Sequence, residues 1–151
     1  MRLSLLRSPK WPDATADRGK HRIEYALYPH EKTWKEAATV RRAMEYNNPL
    51  IAQMSTQQKG SLPLSQSFVR VQPSNIILTS LKKEEDGSGW ILQWYESEGK
   101  DTEVNVKLPK QPVKALTSNF LEEDGTPVAF KGKILTVPTK ANSIVTVKVL
   151  F

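Results

Sequence analysis

The sequence has no cysteine and only two histidines, His21 and His30, among its 151 residues. Without cysteine there is no disulfide framework, no thiolate zinc site and no thiol nucleophile. Two histidines are too few for a self-contained multi-histidine metal centre. No apolar run approaches the ~18 residues that mark a membrane-spanning helix. The opening stretch, Met1 to Pro12, carries charge at Arg2, but its apolar run is too short for a signal h-region. These absences predict a soluble protein of a reducing compartment, most simply the cytoplasm, with no membrane partner. Walker and Rossmann glycine patterns are missing, and so is the G-x-S-x-G nucleophile elbow.

What is present suits a globular chain. Hydrophobic residues make up 38% and charged residues 25%, which is unlike a disordered composition. The length suits one domain or two small ones. Lys plus Arg number 22 against 16 Asp plus Glu, a formal charge of +6. Nucleic-acid binding needs cations converging on one track. In the linear sequence they are scattered: Lys82-Lys83 runs into Glu84-Glu85-Asp86, and Arg41-Arg42 sits between Glu36 and Glu45. No RNP-type motif of basic and aromatic residues occurs. The charge therefore reads as a solvated surface, without a nucleic-acid partner.

Periodicity divides the chain. Arg2 to Arg7 reads as a strand stopped by Ser8-Pro9 and Pro12, and His21, Ile23, Tyr25 and Leu27 alternate with polar residues as a second strand. The period then changes. Trp34, Ala37, Ala38, Val40, Ala43 and Met44 fall on one helical face, Thr33 and Glu36 form a capping-box pattern, and Asn47-Asn48-Pro49 is a stop. One helix is predicted near 33–46. Residues 53–66 are polar and read as a linker. After it, Ser67 to Gln72, Asn75 to Lys82, Trp90 to Ser97, Thr102 to Leu108, Val113 to Glu122, Lys133 to Val137 and Ser143 to Phe151 read as strands, with turns at Gly87-Ser88-Gly89 and Gly99-Lys100-Asp101. Short strands at regular spacing predict an all-β fold, an antiparallel β-sandwich.

No catalytic constellation is visible. His21 and His30 have no recognisable triad partners, and His21 lies in its strand's apolar register, where a satisfied, partly buried side chain is expected. The spacing of Asp13, Asp17 and Gly19 approaches a calcium loop but lacks the alternate-position ligands, so both aspartates are expected to cap turns. Trp34, Trp90 and Trp94 sit on apolar faces and are expected in the core, whereas Trp11 lies in a proline-flanked loop beside Asp13. Sugars stack on flat aromatic faces, which makes Trp11, Asp13 and Asp17 a candidate carbohydrate site.

The first thirty residues contain Leu5-Leu6-Arg7-Ser8-Pro9, Pro12-Asp13, Ala16-Asp17-Arg18-Gly19, His21 and Tyr25-Ala26-Leu27-Tyr28-Pro29-His30. Together with Asn48-Pro49-Leu50, Leu81 to Asp86, Gln93-Trp94-Tyr95-Glu96 and Phe120-Leu121-Glu122, this text resembles the C-terminal region of the α-mannosidases of glycoside hydrolase family 38, in their bacterial and archaeal branch. The resemblance implies that residues 1–52 end a galactose-mutarotase-like supersandwich, that 53–66 are a linker, and that 67–151 form a small terminal β-sandwich. It further implies that zinc and the catalytic aspartates of a retaining mechanism lie in an absent N-terminal domain. Retention itself needs two carboxyl groups about 5 Å apart. This chain would then bind no cofactor, contain no catalytic residue and be inactive alone. By the same resemblance Arg7 would reach sugar hydroxyls, with Asp17 holding the loop or the arginine; an Arg7–Asp17 ion pair that merely fixes the loop is the competing reading.

The leading expectation is therefore a non-catalytic portion of an α-mannosidase, partnered by mannose-containing carbohydrate and by the catalytic domain in cis or in trans. Two alternatives stay open: an autonomous carbohydrate-binding sandwich using Trp11, Asp13 and Asp17, and a basic nucleic-acid-binding protein. An edge strand without its sheet invites pairing, so the N-terminal strand is expected to self-associate or to be poorly ordered.

Overall fold

In a computed structural model, which describes residues 2–87 and 89–151, alternating residues after Gln66 bury one side chain in two and so build paired strands. The strands are β1 (Arg70–Gln72), β2 (Ile76–Lys83), β3 (Trp90–Glu96), β4 (Thr102–Lys107), β5 (Lys114–Ser118), β6 (Asp124–Pro127), β7 (Ala129–Lys131), β8 (Ile134–Thr139) and β9 (Ile144–Leu150). They form a four-stranded sheet, β1-β4-β8-β7, and a five-stranded sheet, β2-β3-β9-β5-β6, antiparallel throughout. In β4, Val104 and Val106 point inward while Glu103, Asn105 and Lys107 face out. They meet Leu92, Trp94, Leu135, Val147 and Val149 in one core between the sheets. This is the antiparallel β-sandwich that the spacing predicts. Ser88, in the turn between β2 and β3, lies outside the described residues.

The chain separates into two compact units, one through Glu31 and one from Lys32 to Phe151. In the first, the strands expected at Arg2 to Arg7 and His21 to Leu27 do not form; both segments carry no ladder. A strand needs a hydrogen-bonded neighbour for its N–H and C=O groups, and none is assigned there. Leu3, Leu5, Tyr25, Ala26 and Leu27 instead share an apolar cleft of about 420 Å³ and stay largely exposed. The two short strands β6 and β7 carry no sequence signal. The first is wholly exposed and contains Gly125 and Pro127, which only an edge strand tolerates. Pro138 in β8 lies beyond the end of its β7 partner at Thr136, where a missing N–H costs no ladder bond.

The helix is α1, Thr39–Asn47, shorter than expected. Thr33 and Glu36 do make the reciprocal capping box, with the Thr33 N–H donating to Glu36 Oε2 at 3.3 Å and the Glu36 N–H donating to Thr33 Oγ1 at 3.4 Å. That box starts only a turn, because Ala38 takes φ 52° and breaks the helical path before Thr39. The predicted stop holds: the Asn48 N–H and side-chain amide both donate to the Met44 carbonyl, at 3.0 and 2.9 Å. Trp94 is fully buried and Trp90 packs at the core edge, but Trp34 is half exposed, with Lys35 Nζ 5.3 Å from its ring centre. Among the described residues no helix is long and apolar enough to cross a membrane.

Buried polar groups tie strands together between the sheets and within one of them. Trp94 Nε1 in β3 donates to Thr139 Oγ1 in β8 at 3.1 Å, across the core. Lys148, 7% exposed, reaches Glu84 at 2.5 Å and Asp124 at 2.7 Å, tying β9 to the end of β2 and to edge strand β6. Asp124 and then Glu84 raise the Lys148 ammonium above its ordinary value, against the desolvation that would lower it.

The most heavily engaged side chain is Glu96, 3% exposed at the end of β3. Its Oε1 accepts from Asn75 Nδ2 at 2.9 Å and the Glu98 N–H at 2.7 Å. Its Oε2 accepts the N–H groups of Gly99, Lys100 and Asn142 at 2.7, 3.1 and 3.0 Å. Burial works to raise this carboxyl, but the Asn142 amide, the Asn75 side chain and the Glu98 and Lys100 amides together bring it from 4.5 to about 2. Such a depressed value contributes about 3 kcal/mol of stability, present above the ordinary 4.5 and lost as pH falls toward about 2. Glu96→Gln would point an NH₂ at amide donors, so urea unfolding at pH 7 should show a loss of about 3 kcal/mol. The variant should also lack most of the wild-type fall in stability between pH 5 and about 2.

Candidate functional site

The loop after Arg7 is organised by its own aspartates. Asp13 Oδ1 accepts the Thr15 N–H at 2.8 Å and the Thr15 hydroxyl at 2.7 Å, closing an Asx turn. The Thr15 amide, then its hydroxyl, hold the Asp13 carboxyl below its ordinary value. Asp17 Oδ2 accepts the Ser8 N–H at 2.9 Å, which fastens the two ends of the loop together. The Asp17 carbonyl meets His21 Nε2 at 2.8 Å. A carbonyl can only accept, so Nε2 carries the proton in this arrangement. Ser8, Asp17 and Gly19 take φ of 47°, 60° and 134°. Glycine at the last of these is required, because a side chain rarely adopts that conformation.

These bonds decide which sequence-predicted residues are free. Asp13 caps a turn, as its residue type predicts, whereas the Asp17 carboxylate reaches back nine residues to the Ser8 amide. No Arg7–Asp17 ion pair forms among the described residues; the Ser8 amide occupies the carboxylate instead. Arg7 is exposed, and Trp11 is 85% exposed. His21 is satisfied as expected but is exposed, not buried, since its strand does not form. The role of Ser8 has no side-chain signature in the sequence, because its backbone N–H makes the contact. The four-residue spacing from Asp17 to His21 is the signal for that second bond.

The chemistry available here is recognition. Asp13 and Asp17 are engaged as acceptors within the loop, whereas a guanidinium and an indole are presented outward. A guanidinium fork can hold two adjacent hydroxyls, and an indole face can carry a sugar ring. Among the described residues no three His, Asp or Glu side chains are placed to hold a metal ion. The zinc implied by the resemblance therefore finds no fitting ligand set in them.

Comparison with known proteins reaches beyond the sandwich. Residues 75–147 match the glycosyl hydrolases family 38 C-terminal beta sandwich domain. Alpha-mannosidase G of Dictyostelium discoideum is 33% identical over 125 residues, covering 80% of this chain and 12% of that protein. Alpha-mannosidase 2C1 of Homo sapiens is 34% identical over 125 residues, with the same two shares. The alpha-mannosidase of Saccharomyces cerevisiae is 42% identical over 94 residues, 58% of this chain and 8% of its own length. The chain thus spans 12% or less of these relatives.

The loop bonds give a local test. Asp17→Ala should leave the urea midpoint of the sandwich unchanged and raise hydrogen exchange at the Ser8 amide by about tenfold, the loss of one charge-assisted bond. Nuclear magnetic resonance reads both quantities on one sample; unchanged Ser8 protection would show that the loop is held by something else.

Proposed function

The chain is a C-terminal region of the glycosyl hydrolases family 38, and from that premise we propose that it is the non-catalytic tail of a retaining, zinc-dependent α-mannosidase, framing the substrate site and supporting the catalytic domain. The observation that carries the reading is similarity to α-mannosidases over 80% of the chain, reaching well beyond the sandwich itself. Residues 1–52 then end the larger sandwich of the parent enzyme, 53–66 link, and 67–151 are its terminal domain. Zinc, when bound upstream, would supply the polarisation and charge stabilisation of glycoside cleavage; no step of that kind is derived from this chain's residues.

In this reading Arg7 and Trp11 contribute to a mannose-containing ligand from outside the catalytic domain, and Asp13 and Asp17 set the loop that carries them. The apolar cleft of Leu3, Leu5, Tyr25 and Leu27 is covered by the upstream part of the enzyme, in cis or in trans. Left alone, the same apolar surface would associate between copies. A cytoplasmic setting agrees with the lack of cysteine.

Two measurements test the proposal. The 151-residue chain with added zinc should hydrolyse 4-nitrophenyl α-D-mannopyranoside no faster than buffer; turnover above that rate overturns it. In an α-mannosidase carrying this segment, Arg7→Ala should raise KM by about tenfold, with a smaller change in kcat, as expected for a lost charge-assisted contact to a hydroxyl pair. An unchanged KM would remove Arg7 from the substrate site.

A further inference from the structure

The scattered cations of the linear sequence are gathered by the fold. Residues 46–83, 104–118 and 125–151 contain no aspartate or glutamate, and they supply β1, β7, β8 and most of β4. Strand register sets Arg70 opposite Lys107, Lys107 opposite Ile134, and Ile134 opposite Lys131. All four are exposed on the outer face, so one end of the four-stranded sheet carries the row Arg70, Lys107, Ile134, Lys131. Like charges placed directly opposite in an antiparallel pair are destabilising. Several other lysines of the sandwich are answered by carboxylates, as at Lys82–Glu122, Lys140–Asp101 and Lys148–Asp124. Arg70, Lys107 and Lys131 make no ion pair among the described residues.

Three further features adjoin this row. A cleft of about 530 Å³ is lined by Arg70, Lys107, Lys133, Ser67 and Phe68, and Phe68 is exposed. Lys133 Nζ donates to the Pro109 carbonyl at 2.8 Å, which fixes a fourth cation at the rim. Two residues further along the strands, about 7 Å away, the outer face reads Gln72, Asn105, Thr136 and Ala129. Thr136 donates to Asn105 Oδ1 at 3.2 Å, leaving the Asn105 amide NH₂ turned to solvent beside Gln72.

We propose that this end of the sandwich is a binding site for a sugar carrying a phosphate ester, with the ester on Arg70, Lys107 and Lys131 and the sugar over Phe68. The combination decides the ligand class. Guanidinium and ammonium groups without carboxylates select an oxyanion. An exposed ring beside those cations suits a pyranose face. From Arg70 to Lys131 is three strand spacings, about 14 Å, room for one or two anionic groups but not for the 6–10 phosphate contacts of a duplex-binding track. The choice of sugar as carrier rests on the mannosidase reading; the unpaired cation row does not.

The test is an NMR titration of the full 151-residue chain with mannose 6-phosphate, inorganic phosphate, mannose and a duplex DNA in parallel. Mannose 6-phosphate should produce saturable amide shifts centred on Arg70, Lys107 and Lys131, with a Kd at least about fivefold below that of inorganic phosphate. Arg70→Gln and Lys107→Gln, both exposed and expected to keep the parent spectrum, should abolish the shifts, while Lys59→Gln should not. Equal affinity for inorganic phosphate would mean an adventitious ion only and would overturn the proposal. So would tighter binding of the duplex with a steep salt slope, or no shift at the row. The titration has no hydrolytic readout, so its failure leaves the mannosidase reading standing, and turnover by the chain alone would leave this site standing.

Discussion

A single buried carboxylate sets where the chain can cross between the two sheets. Glu96 ends β3 in one sheet, and its oxygens hold the backbone that leads to β4 in the other, through the amides of Glu98, Gly99 and Lys100. The same group receives the Asn142 amide from the return crossing between β8 and β9. Asn75 links this knot to the facing sheet, since its amide also donates to Thr102 Oγ1 at 2.9 Å. Each of those amides points at the buried carboxylate, and one anion satisfies them together. The apolar core between the sheets can then close without distorting its connections.

The rest of the sandwich follows the same rule of answered polar groups. Lys148 lies nearly buried in a central strand only because Glu84 and Asp124 reach it from two sides. Trp94 is buried entire because Thr139 receives its indole N–H across the core. Against that background the outer row of Arg70, Lys107 and Lys131 stands apart, three cations brought together at the end of the sheet away from its one strand carboxylate, Glu103. The N-terminal loop differs again: its aspartates are spent on shaping the chain, and what it offers outward is Arg7 and Trp11.

Alternation made much of the fold legible. Val104, Val106 and Leu108 announce β4 because every second side chain must face the core, and Trp90, Leu92 and Trp94 announce β3 for the same reason. The helix stop at Asn47-Asn48 and the turn-capping of Asp13 depend on neighbours a few residues away, so residue type alone reveals them. The same logic misplaced the first thirty residues. His21, Ile23, Tyr25 and Leu27 have a strand's pattern, but a pattern describes only which face would be buried and does not supply the neighbouring strand. Edge strand β6, with no buried face at all, could not be seen by periodicity.

What the sequence by itself determined was therefore local or periodic: an all-β sandwich, one short helix, an aspartate-capped loop and, through the resemblance of its motifs, a family. The tertiary structure alone decided which distant residues meet. Nothing between positions 70 and 131 marks Arg70, Lys107 and Lys131 as neighbours until antiparallel register places them in one row. Nor does the text around Glu96 show that Asn142, 46 residues later, will bind the same oxygen as Gly99. Hydrophobic alternation is written along the chain, whereas charge clustering and the satisfaction of buried anions arise only when separate strands are paired and stacked.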